Sequence, residues 1–177
     1  MKKTQAAIVA ISGKSGCGNT TVSRRVAQIL GCEFINYTFR KLAEEEGKSL
    51  AEILALAEED SSWDRLLDSR QVELAQKQDC VIGSRLAMWL LPNASLRVYL
   101  KASPSVRVDR IHAREGGSRD DIAEFTAQRD IRDHRRYKET YGIDTDDVSS
   151  ANLVIDTERW DAEQIARIIA DAFIGRR

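Results

Sequence analysis

The sequence predicts an α/β protein in which five short strands form a mainly parallel sheet with helices on both faces. Two observations carry that expectation. Apolar runs of strand length alternate along the chain with segments of helical period, and such alternation calls for crossovers that lay helices over a parallel sheet. The first apolar run ends in a glycine-rich turn that leads directly into a helical pattern, at the carboxyl end of a strand, where sheets of this kind place their ligands.

The elements follow in order. Ala6 to Ser12 is the first strand, and Val22, Val26, Ile29 and Leu30 repeat at a helical period after the turn. Glu33 to Tyr37, Asp79 to Ser84, Ser95 to Lys101 and Ala151 to Asp156 are the other β-like runs. Ser103-Pro104 reads as an N-cap followed by proline in the first turn, with Val106 and Ile111 on the inner face. The closing helix repeats the pattern with Ile165, Ile168, Ile169 and Ala172. Two stretches stand outside the sheet. Thr38 to Gln78 is a helical excursion with Leu50, Ile53, Leu54 and Ala57 on one face and Trp63, Leu66, Leu67 and Leu74 on another. Arg114 to Tyr141 mixes both charge signs with few large apolar residues, the pattern of a solvated helical flap.

Composition sets the outer bounds. A chain of 177 residues with 42% hydrophobic content is sized for one domain with its own core. Lys+Arg 27 against Asp+Glu 28 gives a net charge of -1, which argues against a surface built for a nucleic-acid polymer. No apolar run approaches the roughly 20 residues of a membrane helix, and Ala6 to Ile11 is shorter than a secretory core of about 7 to 15 residues. A cytoplasmic protein without membrane attachment is expected. Cys17, Cys32 and Cys80 are odd in number and lack CxxC spacing, so they read as small buried apolar side chains.

The chemistry concentrates in Gly13-Lys14-Ser15-Gly16-Cys17-Gly18-Asn19-Thr20-Thr21, which has the glycine spacing of a P-loop between the first strand and its helix. Glycines let successive backbone N–H groups face phosphate oxygens, and the helix N-terminus adds a favourable dipole. Thr20 then stands where a hydroxyl ligates Mg²⁺. The residue expected to be the phosphate-binding lysine is Asn19, a neutral donor, where a substituted lysine would restore a cation beside the phosphates. Lys14 is either a displaced phosphate contact or a solvent-facing loop lysine, and the segment as a whole is either a phosphate loop or an ordinary β-α turn.

With this loop, the insertion and the flap in order, the chain resembles the archaeal-type cytidylate kinases of the nucleoside monophosphate kinase family over essentially its whole length. The matching stretches include Thr38-Phe-Arg-Lys-Leu-Ala43, Asp64-Arg-Leu-Leu-Asp-Ser-Arg-Gln71, Ser84-Arg-Leu-Ala-Met-Trp89, Arg110-Ile-His-Ala-Arg-Glu-Gly116, Arg136-Tyr-Lys-Glu-Thr-Tyr-Gly-Ile-Asp144 and Leu153-Val-Ile-Asp-Thr157. The resemblance implies a three-layer P-loop NTPase fold in a single domain, with a monophosphate-binding insertion at about 38–78 and a lid at about 116–140. It implies ATP as phosphoryl donor, Mg²⁺ as cofactor, CMP as acceptor with dCMP and UMP open, and a monomer.

The resemblance also assigns residues. Arg40 and Arg85 become acceptor-phosphate binders, since a guanidinium fork meets two phosphate oxygens at once. Arg110 and Arg114, assigned as catalytic groups, face the ATP adenine and phosphates at the mouth of the flap, whereas by spacing alone an i,i+4 arginine pair is a solvated helix face. Arg129, Asp133 and Arg136 match a trio that grips the CMP ribose and phosphates, Asp133 accepting from ribose hydroxyls while the arginines, as catalytic groups, offset transferring charge. The alternative for that trio is an exposed salt-bridged helix. Asn36, Tyr37 and Ser84 are candidates for reading the cytosine edge. Two positions depart from the family pattern: Asn19 replaces the common lysine, and Gly83 stands where relatives carry an acidic residue beside Mg²⁺. They motivate a second reading, a catalytically weak nucleotide-binding or regulatory protein on the same fold.

Overall fold

The computed structural model describes residues 6–176. Five strands, β1 (Ile8–Gly13), β2 (Glu33–Ile35), β3 (Cys80–Gly83), β4 (Leu96–Lys101) and β5 (Leu153–Asp156), form one sheet in the order β2-β3-β1-β4-β5. All four pairings are parallel, with Val9 opposite Val81 on one side and Leu96 on the other. The five-stranded parallel sheet with helices on both faces is as the sequence predicts.

Every residue of β1 is buried, which is why it reads as an unbroken apolar run rather than an alternating one. Its side chains nonetheless alternate between two cores. Val9 and Ile11 join Val22, Val26, Ile165 and Ile169 of α1 (Asn19–Leu30) and α8 (Ala162–Ile174). Ile8 and Ala10 join Ala75 of α4 (Ser62–Ala75) and Ala87 of α5 (Ala87–Leu90) on the opposite face. Buried Ser12 accepts a hydrogen bond from the Met88 backbone N–H at 3.0 Å, fastening α5 to the end of β1.

The excursion between β2 and β3 holds α2 (Phe39–Glu45), α3 (Leu50–Glu59) and α4. Ser49 and Glu52 close a capping box at the start of α3. A separate small core of Tyr37, Leu42, Ala43 and Ile53, flanked by Trp63, Leu66 and Leu67, holds these helices together. Leu54 and Leu74, expected on the inner faces, are 44% and 36% exposed. The small core has room for Ile53 alone among the α3 residues at full burial, so the neighbouring leucine is left facing out.

Between β4 and β5, α6 (Pro104–Glu115) starts as expected, with the Ser103 hydroxyl accepting from the Val106 N–H and proline in the first turn. Its buried residues are Arg107, Val108 and Ile111, so the inner face is turned away from Val106 and carries an arginine. The flap is one helix of 23 residues, α7 (Arg119–Tyr141), that buries only Thr126 and Tyr137. Gly116 and Gly117, both at positive φ, separate it from α6. Among the described residues no helix is long and apolar enough to cross a membrane.

Candidate active site

The phosphate loop leaves β1 at Gly13 and enters α1 at Asn19. Gly16 has φ 86° and packs so closely on α6 that a Cβ there would lie 2.8 Å from the Arg107 carbonyl oxygen. No other residue tolerates both constraints. Arg107 supports the loop from behind: it is 3% exposed, donates to the Ser15 carbonyl at 3.1 Å and forks onto Asp130 of α7. Arg110 donates to the Thr157 hydroxyl at 2.8 Å and its carbonyl at 2.7 Å, and reaches the Gly16 carbonyl at 3.4 Å. Loop, α6, α7 and the segment after β5 are thereby one polar assembly.

The two departures from the family pattern meet in space. Asn19 turns inward, its Nδ2 donating at 3.2 Å to both the Ile11 and Ser84 carbonyls, while its Oδ1 accepts from the Ser23 hydroxyl at 2.9 Å. A Cβ on Gly83 would sit 2.5 Å from Ser23 Oγ and 2.8 Å from Asn19 Oδ1. The Asn19 carboxamide is therefore not a side-chain donor aimed at phosphate, as the sequence reading had it, because its N–H groups are spent on carbonyls. Lys14 pairs with Asp146 at 3.0 Å, an exposed contact.

An open cleft of about 1370 Å³ runs from the phosphate loop to the insertion. Residues 13–21 line it, as do Arg85, Arg110, Arg114, Arg129, Asp133 and Arg136. Its size exceeds the roughly 300–1,000 Å³ usual for one small ligand and suits two. Arg40 is the expected site residue that does not line it: α2 buries Leu42 and Ala43, and Arg40 is exposed next to Phe39, which does line the cleft.

At the far end of the cleft Asp133 gathers the arginines. Its carboxylate meets Arg85 at 2.8 Å, Arg136 at 3.2 Å and Arg129 at 3.9 Å. Both oxygens are engaged by arginine, so in this structure Asp133 organises cations rather than offering itself to ribose. Arg136 also pairs with buried Asp64 at 3.2 Å and stacks on the Tyr137 ring at 5.1 Å. Burial and the neighbouring Arg85 charge lower the pKa of Arg129, the electrostatic sign of a site that concentrates positive charge. Ser84 Oγ and Arg136 Nε are buried without a hydrogen-bond partner, an unmet capacity that a bound ligand can satisfy.

Sequence reasoning missed Arg107, Trp160 and the Asp64 and Asp68 carboxylates. Trp160 is 48% exposed and lines the cleft beside Arg110 and Arg114. Asp68 also lines it and accepts from the Tyr141 hydroxyl at 2.6 Å. Burial, with Asp64 nearby, pushes the Asp68 pKa up from 3.8 to about 6. The folded state thus holds this proton more tightly than the unfolded chain, so its stabilising contribution is full below about 3.8 and is lost as pH rises through about 6. Asp68→Asn is expected to raise the melting temperature near pH 8, by up to about 3 kcal/mol of stability, and to change it little near pH 4. Thermal melts across that range check this, and an equal shift at both ends contradicts it.

A parallel sheet with a glycine-rich loop at the carboxyl end of its central strand, and cationic side chains around a two-ligand cleft, defines the P-loop phosphotransferase scaffold. Shikimate kinase from Bacteroides thetaiotaomicron shares this fold with a TM-score of 0.65 at 18% identity, over 96% of this chain and 99% of that one. The sequence resolves the family further. A sequence model of the cytidylate kinase-like family matches residues 8–159. Cytidylate kinase 2 of Borreliella afzelii is 44% identical over 167 residues, covering 92% of this chain and 94% of that protein. Cytidylate kinase of Pyrococcus horikoshii is 36% identical over 167 residues, covering 93% and 87%. The chain belongs to the cytidylate kinase-like family.

Proposed function

We propose that the protein transfers the γ-phosphoryl group of ATP to CMP. The single observation that carries this reading is the cleft itself: it joins a phosphate loop at one end to Arg85, Arg129 and Arg136 around Asp133 at the other. ATP occupies the loop, with Trp160, Arg110 and Arg114 at its outer end. The acceptor phosphate meets Arg85 and Arg129. That phosphate is ionised at neutral pH, so it needs no strong general base, and the work left to the protein is alignment and compensation of charge. Arg85 and Arg129 orient the acceptor and draw off negative charge as the bond changes partner, and α7 carries Arg129 and Arg136 over the cleft and excludes water.

Thr20 lies exposed in the first turn of α1 and offers a hydroxyl oxygen, a hard donor suited to Mg²⁺. Bound there with the nucleotide, Mg²⁺ supplies neutralisation of the β- and γ-phosphate charge. Position 83 adds no ligand, since Ser23 and Asn19 fill the space an acidic side chain would need.

Lys14 is the cation of this loop. Its pair with Asp146 is solvent-exposed and weak, easily exchanged for a phosphate. Lys14→Ala is expected to raise the KM for ATP roughly tenfold, the cost of one charge-assisted contact. An unchanged KM would mean that backbone amides alone hold the phosphates. The reading as a whole is tested by following CDP formation from ATP and CMP with and without Mg²⁺, with UMP and dCMP as competing acceptors. ATP binding without CDP formation would favour the regulatory reading instead.

A further inference from the structure

The missing lysine and the missing acid are two halves of one arrangement. Asn19 is held on three sides: two donated bonds to the Ile11 and Ser84 carbonyls and one accepted from Ser23, a residue with no exposed surface. Asparagine alone among side chains of this length offers two amide donors and an acceptor together. A lysine has no acceptor for the Ser23 hydroxyl, and any side chain at position 83 would occupy the space that Ser23 Oγ and Asn19 Oδ1 now share. The Ile11 carbonyl also accepts from the Ser84 backbone N–H at 3.2 Å. Asn19 therefore doubles a junction between the end of β1 and the segment just beyond β3. The next residue is Arg85, whose guanidinium pairs with Asp133 at 2.8 Å.

We infer that Asn19 is a positioning residue: its carboxamide fixes the Ser84-Arg85 segment to the base of the phosphate loop and so sets the distance between donor and acceptor phosphates. This rests on the assignment of Arg85 to the acceptor phosphate. Asn19 does not take over the task of the absent cation. It contributes alignment, to which phosphoryl transfer is sensitive, since displacement by about 1 Å can cost roughly 100-fold in rate. Ser23 orients the carboxamide, and Gly83 leaves room for both.

The test is steady-state kinetics with ATP and CMP, joined to calorimetric ATP binding and thermal melting, on Asn19→Leu, Asn19→Lys, Ser23→Ala and Arg85→Ala. Asn19→Leu keeps the branching and the number of heavy atoms and removes all three hydrogen bonds. It is expected to lower kcat about 100-fold and raise the KM for CMP, while the ATP dissociation constant moves less than about threefold. Asn19→Lys is expected to lose turnover in the same way and to gain no ATP affinity. A tenfold loss of ATP affinity in Asn19→Leu with kcat preserved would overturn the proposal by placing Asn19 on the phosphates, and kinetics like the parent's would reduce it to a space filler. Should either Asn19 variant melt at the assay temperature, Ser23→Ala carries the test, because it removes only the hydroxyl that orients the carboxamide. A fall in kcat of about fivefold with ATP affinity intact is expected there, and unchanged kinetics would overturn the proposal. Arg85→Ala separates the two readings. If it leaves both kcat and the KM for CMP unchanged, the acceptor assignment fails; if it lowers kcat or raises that KM while Asn19→Leu and Ser23→Ala turn over like the parent, the assignment stands and the positioning role of Asn19 falls.

Discussion

Arg107→Ala is expected to cost about 3 kcal/mol of stability, the low end for breaking a buried pair, because it strips the partner from the Asp130 carboxylate, which is only 20% exposed. Arg107 is 3% exposed, and its guanidinium serves both the Asp130 carboxylate and the Ser15 carbonyl of the phosphate loop. For a domain of this size that loss lowers the melting temperature by about 10 °C. The same variant should bind ATP more weakly, since the loop loses its support from α6. Replacing Arg107 and Asp130 together with methionines is expected to recover most of the stability and little of the ATP affinity, because an apolar pair leaves no orphaned charge. Denaturant titration of single and double variants checks this. A single variant that melts within a degree of the parent would show that water solvates Asp130 after all.

Arg85→Ala is expected to have the largest effect on chemistry, lowering kcat with CMP by about 10²–10³, the usual cost of deleting a preorganised group that stabilises transferring charge. Its stability should scarcely change. The Arg85 side chain is 29% exposed, and Asp133 keeps Arg136 when Arg85 is gone. Arg85→Lys is expected to restore little, since a point charge lacks the planar fork that meets two oxygens. Single-turnover measurements at saturating ATP and CMP check both, and a kcat within threefold of the parent for Arg85→Ala would remove it from the reacting phosphates.

These expectations divide between what was legible in the sequence and what was not. The strands, the loop and the closing helix are written locally: β1 is an apolar run, the loop is marked by glycines, and α8 carries its buried residues at helical spacing. The trio on α7 was marked by the family resemblance, and Arg129, Asp133 and Arg136 do approach one another because they lie within one helix at i, i+4 and i+7. Arg107 was not. Nothing near it in sequence announces burial, and its carboxylate partner lies on a different helix, 23 residues away. An arginine beside Val108 on an inner face becomes intelligible only once Asp130 is seen. The inward turn of Asn19 was hidden likewise, since the space it uses exists because position 83, at the end of β3, is glycine. Leu54 shows the converse failure. Its helical spacing places it with Ile53, but a core as small as that of the insertion cannot take both.

That small core has a thermodynamic corollary. Tyr37, Leu42, Ala43 and Ile53 share no member with either cluster on the sheet, so α2 and α3 can come apart while the sheet and its flanking helices stay folded. Segments of this kind open at a fraction of the global free energy and exchange their amide protons early. Under the proposed function the acceptor nucleotide sits in the cleft that Tyr37, Phe39 and Leu54 of this segment help to line, so binding it favours the packed form of the segment. Binding then stabilises the segment by an amount that grows with the logarithm of free substrate concentration, and without substrate the α2–α3 region is expected to be the first cut by a protease.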